Sequence, residues 1–234
     1  MTLDASPGAD NITADGLPQW IDPARTALVV IDIQVDFAAP EGLLGRAGVD
    51  VSVLKPALAR AELLVDEARR TGVPVIFVAL QTSPETDSPS WKEWMRRRGR
   101  TPDEEMAICR IGTPGVEFCD PKPREGELVV GKPKYSAFIG TDFEAQLRAR
   151  GIDTLVVCGI TTECCVDCTV RDAFHRDFHV FLVEDACAAY EEEVHQGSLR
   201  ALTLNCAIPV TTSEVEAAWG ELAVPAGLKA GAGA

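Results

Sequence analysis

The sequence is short of three things: basic charge, uninterrupted apolar runs and histidine. Its 234 residues hold 22 Lys and Arg against 36 Asp and Glu, a formal net charge of −14. Nucleic-acid binding needs a basic face for the phosphates, so that partner class is excluded. No stretch comes near the roughly 18 apolar residues that a spanning helix needs, so no membrane partner is expected. Met1 to Gly16 hold no basic start followed by an apolar run, and no secretory leader is expected there. The three histidines, His175, His179 and His195, all fall late, and none stands at a zinc spacing from the cysteines. No metal or cofactor is therefore expected. Linkers, repeats and low-complexity segments are also missing from the body of the chain.

What is present is an ordinary soluble composition, 46% apolar and 25% charged, long enough to bury a full core. The eight cysteines follow no disulfide-scaffold spacing, and several lie inside apolar runs. Reduced thiols in the cytoplasm are the expectation, which leaves a thiol free to react. One domain over 25–222 is predicted, with an irregular arm over 1–24 and a flexible Ala/Gly/Pro tail over 223–234.

Short β-rich runs alternate with helical patterns. Apolar runs at 27–33, 75–80, 127–130, 155–159, 180–183 and 207–211 predict six strands. Val51, Leu54, Leu58, Ala61, Leu64, Val65 and Ala68 share one helical face, which Gly72 ends as a C-cap. Further helices are predicted over 141–150, 162–177 and 192–205. Fully apolar strands separated by amphipathic helices imply a three-layer α/β/α sandwich. Its six-stranded sheet is expected to be mostly parallel and Rossmann-like. The long irregular stretch 81–126 predicts a lid or binding loop.

An open parallel sheet carries its site at the C-terminal strand ends. Asp32, Lys132 and Cys165 fall at three such ends. Cys165 would sit in the first turn of a helix, where free N–H groups favour a thiolate. Asp32 could take the thiol proton, Lys132 could add positive charge, and the N–H groups of Thr161 and Cys165 could hold an oxyanion. Each has a plainer reading. An Asp after a strand often caps a helix, a Lys there is usually solvated, and a Cys among apolar residues is usually a small core side chain. Composition alone does not choose among Cys158, Cys164, Cys165 and Cys168; the expectation is that Cys158 is buried and that Cys164 and Cys168 point off the reactive face.

Three motifs, Val-Val-Ile-Asp32-Ile-Gln34-Val-Asp-Phe37, Lys132-Pro-Lys-Tyr135-Ser-Ala-Phe138-x-Gly-Thr141 and Gly159-Ile-Thr-Thr162-Glu-Cys-Cys165-Val, stand in this order. Together, over roughly residues 24–215, they resemble the isochorismatase-like cysteine hydrolases. The resemblance implies a catalytic triad of Asp32, Lys132 and Cys165. The family's Cys-Val pair selects Cys165 over Cys164, and its Lys, three residues before Tyr, selects Lys132 over Lys134. It also implies a cis peptide between Ile160 and Thr161, and a homo-oligomer, dimer or tetramer.

Members that hydrolyse nicotinamide carry an Asp-x-His pattern and a further His as metal ligands, and this chain lacks them. A retained Cys165 favours metal-independent cleavage of a C–N bond in a small amide, ureide or carbamoyl compound through a thioester. The stretch from Arg110 and the Ser136 motif resemble the N-carbamoylsarcosine amidase and the biuret or ureidoacrylate hydrolase branches. Vinyl-ether hydrolysis of the isochorismatase type and a non-catalytic binding member are the alternatives. Phe37, Trp91 and Tyr135 are candidate pocket walls, with core packing as the plainer reading. The Arg96–Arg98 run reads as a solvated face, His195 as a capping or surface residue, and Glu191–Glu193 as an acidic helix start.

Overall fold

Six strands build one sheet: β1 (Thr26–Ile31), β2 (Val75–Leu80), β3 (Leu128–Lys132), β4 (Thr154–Ile160), β5 (His179–Ala188) and β6 (Ile208–Val210). The computed structural model describes residues 16–223. Every pairing is parallel, in the order β3-β2-β1-β4-β5-β6. The chain runs outward from β1 to β3, then restarts at β4 on the other side. This makes the β1/β4 boundary the topological switch, where a crevice opens above the strand ends.

The helices are α1 (Leu17–Trp20), α2 (Val35–Ala38), α3 (Leu43–Arg46), α4 (Lys55–Thr71), α5 (Pro89–Arg97), α6 (Pro102–Glu105), α7 (Phe143–Ala149), α8 (Asp167–Phe174), α9 (Glu192–Asn205) and α10 (Thr212–Ala223). Side chains alternate across a strand, so β1 feeds two cores. Leu28 and Val30 pack under α4, α10 and α1, whereas Ala27, Val29 and Ile31 pack under α7, α8 and α9. Each buried aliphatic of this size contributes about 1.5–3 kcal/mol. The sheet is thus covered on both faces, as its unbroken apolar strands require.

The predicted face of α4 is the buried one, and Gly72 caps its end at φ 80. The helix starts later than the periodicity predicts, because Val51–Leu54 wind as a 3-10 turn capped by Asp50 onto the Ser52 N–H. Four further differences stand out. Inside the stretch read as irregular, Pro89–Arg97 is helical, started by Ser88, whose hydroxyl accepts from Trp91 N–H at 3.4 Å. The Thr162–Val166 segment is a π-turn ahead of α8 rather than its first α-turn. Residues 212–223 form α10, which sequence patterning left unassigned. Within the arm expected over 1–24, Leu17–Trp20 form a helical turn, and the Ile21 carbonyl accepts from the buried Trp219 indole at 2.9 Å. Residues 1–15 of that arm, and the tail from 224, lie outside the described residues.

Candidate active site

Asp32 follows β1 directly. It sits at φ 52, with its N–H held by the Val78 carbonyl at 2.9 Å. A left-handed non-glycine residue is uncommon, and here it turns the chain at the switch point. Gln34 locks that turn, donating to the Leu80 and Val116 carbonyls and accepting from Leu80 N–H. Gly159 lets β4 come close beside it. At φ 124, a Cβ there would lie 2.2 Å from the Ile31 carbonyl oxygen, a place that only glycine can occupy.

Lys132 is the last residue of β3, two strands from Asp32, and its long side chain crosses over β2 to reach it. Its ammonium donates to Asp32 Oδ2 at 2.7 Å, to the Lys134 carbonyl at 3.1 Å and to Cys165 Sγ at 3.4 Å. Both charged side chains are closed to solvent, at 0% and 1% exposure. The other Asp32 oxygen, Oδ1, is buried with no hydrogen-bond partner. Lys134 contributes only its carbonyl. The three residues picked out by the motifs therefore meet through one ammonium.

Burial raises the Asp32 carboxyl above its ordinary value of 3.8, against the pull of Lys132. The Lys132 ammonium is raised by Asp32 and Cys165 despite its burial. The Cys165 thiol is pushed well above 9.0 by hydrogen bonding with the neighbouring free thiol of Cys164, by burial and by Asp32, with Lys132 opposing. That upward push opposes the thiolate which the turn's N–H groups favour, and the neighbour placed to take a proton from the sulfur is a carboxylate with a free oxygen.

The Ile160–Thr161 peptide is cis. The Thr161 carbonyl accepts from the Cys164 and Val166 N–H groups at 3.1 and 3.2 Å, passing over that of Cys165. Thr161, Cys165 and Asp32 all line a cavity of about 320 Å³, as do Phe37, Trp91 and Tyr135. The Trp91 and Tyr135 rings meet edge to face, 5.3 Å apart. Cys158 is buried in β4, and Cys168 is not part of the wall. Cys164 does line the cavity, contrary to expectation, but only Cys165 receives the Lys132 contact. The Arg96 and Arg97 side chains face solvent and pair with Glu93. His195 is not a simple surface group, since its Nδ1 lies 2.8 Å from Thr162 Oγ1 behind the π-turn.

Sequence reasoning missed Glu163, Tyr190, Trp94, Arg100 and Glu105, which complete the wall. Tyr190 lies just past the end of β5 and donates to the Phe37 carbonyl at 2.8 Å. The strand-end rule finds it once β5 is followed to Ala188 rather than stopped at 183. Trp91, Trp94 and Met95 stand at helical spacing after Ser88-Pro89, a start signal that marks α5. Among the described residues, no group of three or more His, Cys, Asp or Glu side chains is arranged to hold a metal ion.

The isochorismatase domain family matches residues 26–214. The chain is 37% identical over 192 residues to a ureidoacrylate amidohydrolase, RutB, of Methylobacterium radiotolerans, covering 78% of this chain and 74% of that protein. Among solved structures, a cysteine hydrolase from Pseudomonas syringae pv. phaseolicola superposes with a TM-score of 0.76 at 28% identity, over 88% of this chain and 96% of the other. The N-carbamoylsarcosine amidase of Thermoplasma acidophilum gives 0.65 at 30% identity, over 80% and 96%. The parallel sandwich of the described residues and a family match over 26–214 agree: this chain belongs to the isochorismatase family and is a hydrolase of C–N bonds.

Proposed function

We propose that the enzyme opens the C–N bond of a small amide, ureide or carbamoyl compound through a thioester on Cys165, without a metal. One observation carries this reading: a single buried ammonium, that of Lys132, touches both Asp32 Oδ2 and Cys165 Sγ at the floor of the cavity. The names of the relatives, a ureidoacrylate amidohydrolase and an N-carbamoylsarcosine amidase, support the substrate class.

In the proposed sequence Asp32 Oδ1 takes the thiol proton as Sγ bonds to the carbonyl carbon. The oxyanion is held by the N–H groups of Thr161 and Cys165, at a turn where the Thr161 carbonyl accepts from Cys164 and Val166 instead of Cys165. Lys132 orients the carboxylate and offsets negative charge beside the sulfur. The C–N bond then breaks, and the leaving nitrogen takes the proton from Asp32. Water attacks the thioester with Asp32 again as base, releasing the acid and restoring the thiol. Phe37, Trp91 and Tyr135 act as walls that shape the substrate.

The enzyme works in the cytoplasm as a homo-oligomer of two or four chains. All eight cysteines as free thiols support the reducing compartment.

The test is an ammonia-release screen over small amides, ureides and carbamoyl amino acids, run beside Cys165→Ala. The variant should lose turnover on whichever compound the wild type cleaves. Substantial hydrolysis by Cys165→Ala would sink the thioester scheme.

A further inference from the structure

The charges along the cavity wall are paired, with one exception. Asp32 is matched by Lys132 at 2.7 Å. Arg100 grips Glu105 with two nitrogens, at 2.7 and 2.5 Å. Glu163, two residues before Cys165, has no ion pair among the described residues, and its Oε2 is buried without any hydrogen-bond partner. A buried acceptor left unsatisfied is costly, and a donor on a bound molecule removes that cost.

The groups around Glu163 do not supply the missing donor. The Tyr190 hydroxyl is already committed to the Phe37 carbonyl. His195 lies near enough to feel Glu163, yet burial pushes its ring below the ordinary 6.5 against the pull of Glu192 and Glu163. Its Nδ1 is engaged with Thr162. The cavity that Glu163 lines also holds aromatic side chains, Phe37, Trp91 and Tyr190 among them, and Tyr190 is close enough to feel its charge. A lone carboxylate among aromatic faces suits a cation twice over, by charge and by cation–π contact.

We infer that Glu163 sets the charge of the substrate: the cavity favours an amide or ureide whose far end is an ammonium or guanidinium over one ending in a carboxylate, which sets this chain apart from the carboxylate-bearing compounds named for its ureidoacrylate and N-carbamoylsarcosine relatives. This rests on the hydrolase reading above and adds to it the group that discriminates among ureides.

Three probes of equal length and one reacting group separate the possibilities: N-(3-aminopropyl)urea, butylurea and 3-ureidopropionate. Wild-type kcat/KM should favour the aminopropyl compound over ureidopropionate by about tenfold or more, the order of one well-placed charge contact. Glu163→Gln, which keeps the side chain's shape, should collapse that ratio toward one. A wild type that prefers ureidopropionate, or a Glu163→Gln enzyme that keeps the wild-type ratio, overturns the inference.

Protection of Cys165 from iodoacetamide by the same compounds, followed by peptide mapping, needs no turnover. If no ureide is cleaved but the cation protects Cys165 and Glu163→Gln abolishes that protection, the reaction reading fails and the inference stands. Equal protection by cation and anion, or none from the cation, sinks the inference whatever the turnover.

Discussion

Lys132 Nζ lies 2.7 Å from Asp32 Oδ2, and neither side chain is reached by solvent. Such a pair is far costlier to break than to replace, because removing one partner leaves the other charged and buried. Lys132→Met should lose turnover and cost about 3–5 kcal/mol of stability. Adding Asp32→Asn removes the stranded charge, so the double variant should recover most of that stability while staying inactive. Urea unfolding beside kcat/KM measures both. A double variant no more stable than the single one would mean that the pair matters through packing, not charge.

The pH dependence follows from the same floor. Burial raises Asp32 above 3.8, and the proposed reaction needs its carboxylate form. As pH falls through that raised value the base is protonated and kcat/KM drops, so the acid limb should lie above 3.8. Cys165 keeps its proton well past 9.0, held by the Cys164 contact and by burial. Its alkylation by iodoacetamide should therefore be slower at neutral pH than that of an exposed thiol, and should climb only in alkali. Rapid labelling at neutral pH would show a resting thiolate instead.

Two glycines predict opposite outcomes for one substitution. Gly159→Ala puts a methyl 2.2 Å from the Ile31 carbonyl at φ 124, next to the Asp32 turn. It should cost on the order of 3 kcal/mol and take activity with it. Gly197→Ala, in α9, meets nothing within 4 Å. There the loss of unfolded-state freedom should stabilise by about 0.5–1 kcal/mol with activity intact. Thermal melts of both variants decide.

Asp87 fastens the helix that carries Trp91. Its carboxylate meets Arg110 at 2.8 Å and Lys92 at 3.1 Å, with 6% of the side chain exposed. Burial alone would raise its pKa, but these two cations bring it below 3.8. A lowered acid contributes stability above its unfolded value and loses it as pH falls through the folded one. Asp87→Asn should thus lower Tm at neutral pH, with the gap to wild type closing in acid. Freeing α5 should raise KM more than it lowers kcat. A pH-independent gap would assign the loss to hydrogen bonding rather than charge.

Much of this molecule was legible before any coordinates. Strands buried on both faces need no polar alternation, so 27–33 and 75–80 read clearly as apolar runs. The three motifs brought Asp32, Lys132 and Cys165 to strand ends that the parallel topology gathers. Less of the wall was visible. Glu163 stands beside Cys165 in sequence, but its lack of a partner depends on where Arg100 and His195 go, and no local pattern carries that. The upward push on the Cys165 thiol is likewise invisible locally, because a turn's N–H groups show in the sequence whereas burial does not. The π-turn escaped for a related reason, since one extra residue per turn leaves no mark on apolar spacing.

The strand order has a consequence for how the enzyme comes into being. Asp32 and Lys132 belong to the half of the sheet running from β1 to β3, whereas Cys165 arrives with β4, on the opposite side of the switch. A nascent chain released through residue 150 already holds the carboxylate and the ammonium, yet lacks the Cys165 sulfur they serve. Catalysis is in this sense an assembly certificate: a molecule that turns over has joined both halves, and regain of activity on refolding times that junction rather than the earlier appearance of helices.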